Sequence, residues 1–93
     1  MPQYMIERVF GEAVEEDMAR ISSNSKRTLE ESFPDIRWDH SYVVSDDYGI
    51  KTFCVYDAPS EERLREHALL VGEHTITQLY EIGGVVTPAD FAS

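Results

Sequence analysis

The stretch "IRWDHSYVVSDDYGIKTFCVYDA" (36–58) decides the fold, because two runs of alternating residues, 36–46 and 50–58, meet at "DYG". Alternation is a strand pattern, and a three-residue connection with glycine last matches a type I turn closed by a G1 bulge, which needs positive φ at its third residue. The stretch is therefore read as a β-hairpin whose loop is Asp47, Tyr48 and Gly49. On that register Val44 faces Thr52, Tyr42 faces Cys54 and His40 faces Tyr56. Trp38, His40, Tyr42, Cys54 and Tyr56 then share one side of the hairpin. Ser41, Val43, Phe53 and Val55 share the other and are expected to form the floor for the helices.

Upstream, "QYMIERVF" (3–10) is rich in aromatic and β-branched residues and ends at Gly11, which predicts a first strand with Pro2 at its edge. Its neighbours Glu7 and Arg8 must point to opposite sides, so at least one charge is directed at a face the fold covers. From Glu15 to Ser32 the period changes: Met18, Ile21, Leu29 and then Phe33 recur at helical spacing, acidic residues open the segment and Pro34 closes it. Ser22 and Ser25 lie on or beside the apolar stripe, where small side chains permit close packing.

Downstream, "APSEERLREHALLVG" (58–72) carries Ser60 as an N-cap, two glutamates in the first turn and Gly72 as a stop. Leu64, His67, Ala68 and Val71 form its apolar stripe. "TITQLYEI" (75–82) reads as a last strand. In "GGVVTPADFAS" (83–93), Val85 and Val86 continue the pairing past a glycine bend, or the segment is a tail or an edge cover.

The order β-α-β-β-α-β predicts an α+β ferredoxin-like sandwich: a four-stranded antiparallel sheet with both helices on one face. At 93 residues the chain is expected to be a single domain spanning 1–93, with its core in about 3–82 and an extension at 83–93. Aromatic residues on the uncovered sheet face would leave an apolar patch that monomers rarely carry. The expected cover is a second copy related by a two-fold axis, sheet against sheet, as in a dimeric α/β barrel.

Apolar residues make up 42% and charged residues 28% of the chain, a soluble globular balance. The net charge of −10, without any run of more than two basic residues, argues against nucleic acid and anionic membrane as partners. The N-terminal "MPQYMIERVF" lacks a basic region followed by a long apolar run, so no signal peptide is expected. One cysteine permits no internal disulfide, which points to a reducing compartment and a cytoplasmic location.

On the expected register His40 and Cys54 are diagonal neighbours roughly 5 to 8 Å apart, within reach of one metal ion. Thiolate and imidazole suit nickel, zinc or copper better than magnesium or calcium. Glu7 adds a carboxylate if its strand turns it that way, or else makes an ion pair with a neighbouring strand. Trp38, Tyr42 and Tyr56 would wall the pocket. With no CxxC or HExxH, the competing reading of Cys54 is a small buried hydrophobe. His67 is either a core histidine with a buried hydrogen-bond partner or the lining of a second pocket. His74, in a loop, is read as solvated. Neither a catalytic triad nor a glycine-rich phosphate cradle is present, and no organic cofactor is expected.

The segments "YMIERVF", "WDHSYV" and "TFCVYDAPSEERLREHA" resemble a family of small bacterial proteins of unknown function, typified by an actinobacterial dimeric nickel-binding protein with a ferredoxin-like fold. The resemblance runs over most of residues 3–82. It implies a homodimer able to bind nickel or a similar divalent metal. The leading expectation is thus a homodimeric metal-binding protein. One alternative is a small monooxygenase- or isomerase-like enzyme acting on an aromatic or quinone-like compound, by analogy of fold. A second is a dimerisation module with no site.

Overall fold

The first strand, β1 (Gln3–Val9), alternates along its whole length and buries Tyr4, Ile6 and Arg8 on one side. In the computed structural model, which describes residues 1–10, 15–72 and 74–91, it is followed by α1 (Glu15–Ser32), β2 (Arg37–Asp46), β3 (Gly49–Asp57), α2 (Glu61–Val71) and β4 (Thr75–Glu81). Gly11, read as the stop of β1, lies outside the described residues. The strands form one antiparallel sheet in the order β2-β3-β1-β4. This is the ferredoxin-like arrangement.

Local chemistry sets the helix ends. Ser60 adopts an extended backbone and its Oγ accepts the Arg63 N–H, satisfying one of the donors that a helix start leaves free. At the other end the Gly72 N–H donates to the Ala68 carbonyl, and its φ of 66° is one that glycine adopts without a Cβ penalty. Arg63 grips Asp35 through two hydrogen bonds, of 2.9 and 3.2 Å, and lies over the Phe33 ring, tying α2 to the connection between α1 and β2. That contact holds the Asp35 carboxyl below its usual range.

Both helices cover the side that carries the even-numbered residues of β1 and β3: Ile6 and Tyr56 pack with Leu29, Phe33 and Leu64 in one core cluster. A second cluster joins Phe10, Ile21 and Ile50, with Met18 against it. Where β4 pairs with β1, the register shifts between Glu7 and Arg8, so that Leu79 lies opposite Ile6 and Ile76 opposite Arg8. Both partly buried residues pack against the core. The described part of the C-terminal segment, 83–91, does not extend the sheet: Val85 and Val86 are exposed, and a 3-10 turn spans Pro88–Phe91.

The hairpin departs from its sequence reading. Its loop has two residues, Asp47 and Tyr48. Gly49, with φ of 119°, enters the ladder opposite Asp46, whose Oδ1 accepts the Tyr48 N–H at 2.8 Å. The glycine therefore does its positive-φ work as the first residue of β3 rather than as the last of a longer loop. Every pair shifts by one residue, so Tyr42 faces Phe53, Ser41 faces Cys54 and His40 faces Val55. A one-residue slip reverses the side shown by one strand relative to its partner. A bulge then follows at Asp39, beyond which Trp38 faces Tyr56.

These shifts correct the predicted faces. Cys54, Tyr56 and Trp38 lie on the helix-covered side with Ser41 and Val43, whereas His40 and Tyr42 lie on the open side with Phe53 and Val55. The expected floor of Ser41, Val43, Phe53 and Val55 is thus split between the two faces.

Candidate functional site

The covered side has a polar interior. Arg8 is only 3% exposed, and its guanidinium carbon stands 5.3 Å from the centre of the Tyr56 ring. Its Nε and Nη2 atoms are buried without a hydrogen-bond partner among the described residues. Burial pushes the Tyr56 hydroxyl up to about 12, against the opposing pull of the Arg8 charge. Cys54 Sγ donates to Thr52 Oγ1 at 3.3 Å. The thiol is therefore engaged inside the protein, beneath the helices.

His67 projects from α2 into the same interior. Its Nε2–H donates to the Ser25 carbonyl at 3.4 Å, with Ser25 Oγ at 3.5 Å, and its ring meets the edges of Phe33 and Tyr56. Nδ1 is left buried and unpartnered. Burial lowers its pKa to about 4, with the nearby Arg8 charge acting in the same direction, so the ring is neutral at pH 7. His74 is not the solvated loop residue that its position in the chain predicts. It is half-buried beside Phe10, and burial followed by Arg8 lowers its pKa to about 4 as well.

The open side carries the other two ligand-type residues. His40 Nδ1 lies 3.1 Å from Asp39 Oδ2, and its ring meets Tyr42 edge-on at 5.3 Å. An imidazole whose Nδ1–H is held by a carboxylate has its Nε2 lone pair available, which is how histidine ligands are oriented toward metals. Glu7 is also on this side, bound to Lys51 Nζ at 3.3 Å. It lies opposite Phe53 on β3, while His40 lies opposite Val55 across the far side of that strand. Two strand spacings of about 4.8 Å, plus the offset along the strands, put them too far apart to share one ion within a chain.

The structure therefore separates the residues that spacing alone had grouped. His40 and Cys54 occupy opposite faces and do not form a common site. Trp38 and Tyr56 wall the interior that also holds His67, and Tyr42 stays with His40. Among the described residues no group of three or more His, Cys, Asp or Glu side chains is arranged to hold a metal ion. On the open face, among the described residues, one chain offers His40 oriented by Asp39 and no set of further ligands around it. Arg8 escaped notice as a site residue, although the adjacency of Glu7 and Arg8 required a charge on the covered side.

These features define a ferredoxin-like α+β protein with a polar interior under its helices and a histidine–carboxylate pair on its bare sheet face. More particularly, the chain belongs to the SCO4226-like family of nickel responsive proteins, whose model matches residues 4–82. The crystal structure of SCO4226 from Streptomyces coelicolor A3(2) is similar with a TM-score of 0.69 and 12% sequence identity, covering 90% of this chain and 99% of that one. At that identity the structural likeness speaks for the fold alone. No curated protein matches the chain. Among the described residues no helix is long and apolar enough to cross a membrane.

Proposed function

We propose that this protein is a cytoplasmic homodimer that binds a divalent transition-metal ion, nickel first, on the open face of its sheet. The observation that carries this reading is the His40–Asp39 pair, an imidazole already oriented by a carboxylate, in a chain whose family is nickel responsive. Imidazole nitrogen suits nickel, and the Asp39 contact already holds the His40 ring in one orientation. The remaining donors come from a second copy facing the first, which duplicates His40 and Glu7 on the same surface. Tyr42, 59% exposed, and the exposed Tyr80 and Val44 supply apolar area for that copy to cover. Cys54, under the helices, has no part in it.

Isothermal titration of the tag-free protein with nickel, paired with sedimentation equilibrium, tests the reading. Wild type and Cys54→Ser are expected to bind alike as dimers, and His40→Ala to lose at least tenfold in affinity. Undiminished nickel binding by His40→Ala, or binding that disappears in Cys54→Ser, would overturn the assignment.

A further inference from the structure

We infer that the interior between α1 and the sheet is a binding site for a short monocarboxylic acid, gripped by Arg8. The site lies on the opposite side of the sheet from His40 and is independent of any metal there. A cavity of about 40 Å³ opens beside Arg8, lined on its polar side by Ser22, Ser25, Ser41, Thr52 and Tyr56 and on its apolar side by residues including Phe10, Ile21 and Trp38. Val43, 56% exposed, and half-buried Ser22 mark where it meets solvent along the β2 edge.

The partnering of Arg8 identifies the ligand class. The two unpartnered nitrogens are Nε and Nη2, the pair whose N–H bonds run parallel along one edge of the guanidinium. That edge matches the two oxygens of a carboxylate, and the match gives a short, bidentate, charge-assisted contact. A buried guanidinium without a counter-charge is costly, and among the described residues three groups beside it carry no charge at pH 7: Tyr56 is pushed up to about 12, His67 and His74 down to about 4. A bound monoanion would balance the charge one to one. A phosphate dianion would bring a second charge that nothing in the cavity meets.

Size and lining narrow the class further. One water needs roughly 10 to 15 Å³ by this measure, so 40 Å³ admits a carboxylate head with a short tail and little more. The serine and threonine hydroxyls donate to the oxygens, while Ile21, Phe10 and Trp38 receive the hydrocarbon end.

Trp38 is the chain's one tryptophan and lines the cavity, which makes its emission a direct reporter. The experiment titrates the full-length protein with formate, acetate, propionate and sulfate at constant ionic strength, following Trp38 fluorescence and the ¹⁵N resonance of Arg8 Nε. Saturable changes are expected with acetate and propionate and not with sulfate. Affinity should fall at least tenfold in Arg8→Lys, which keeps the charge and loses the fork, and should vanish in Arg8→Met. No saturable response from wild type, a response to sulfate as strong as to acetate, or full affinity in Arg8→Lys would each overturn the proposal. Should Arg8→Met fail to fold, the Arg8 Nε resonance and the Arg8→Lys titration still decide it.

Discussion

The two faces of one sheet differ in how they treat their charged and polar residues. Under the helices, Arg8, Tyr56 and His67 are buried to within a few per cent of full enclosure. On the open face Glu7, Lys51, Asp46, Asp39 and His40 pair with one another in partial solvent. The lesson is that the same residue types serve different ends on each side. Enclosure fixes protonation states and leaves donors waiting for a ligand, whereas exposure leaves side chains engaged but replaceable.

The sharpest way to break this contrast is to remove volume from the covered side. Leu64 is fully buried, and Leu64→Ala should cost about 4 kcal/mol in urea denaturation, within the range for cavity-forming core substitutions. A loss below about 1 kcal/mol would mean that the helices do not pack on the sheet as described.

Next in size is the pH response of the enclosed histidine. His67 has a folded pKa of about 4 against an ordinary value of 6.5, so between these values the unfolded chain binds the extra proton and stability rises with pH. The contribution is fully present above pH 6.5 and is lost as pH falls toward 4, amounting to about 3 kcal/mol for a shift of this size. His74 adds to the same window. Urea midpoints measured from pH 7.5 down to 4 should decline steeply, and His67→Gln should flatten much of the slope. An unchanged slope in that variant would place the titration elsewhere.

The smallest effect on folding should come from the open face. Tyr42→Ala, at a side chain 59% exposed, is expected to change monomer stability by less than about 0.5 kcal/mol while weakening self-association in sedimentation. If it destabilises the fold as much as Leu64→Ala, the two faces are not different in kind.

The elements were legible in the sequence because their signals are local. Ser60 and Gly72 bracket α2, the stripe of Met18, Ile21, Leu29 and Phe33 marks α1, and alternation marks the strands. The faces of the hairpin were not legible, because Gly49 has the same positive φ whether it ends a loop or begins a strand, and the choice between them moves every pair by one. Nothing in the residues around Asp39 announces a bulge. Spacing could bring His40 and Cys54 together only by assuming an uninterrupted ladder. The burial of His74 was hidden for another reason: it depends on Phe10, more than sixty positions earlier in the chain. Arg8 was half legible, since a strand with adjacent opposite charges must enclose one of them.

The bulge also gives β2 a spare part. Trp38 pairs with Tyr56 and His40 with Val55, so the ladder passes from one pair to the next without a slot for residue 39. A chain shortened by that one position would keep the same pairs, the same tryptophan in the interior and the same histidine outside. What it would lose is the carboxylate at the side of His40. Asp39 is thus redundant to the ladder, an added length whose carboxylate reaches Arg37 through one oxygen and steers the His40 imidazole with the other.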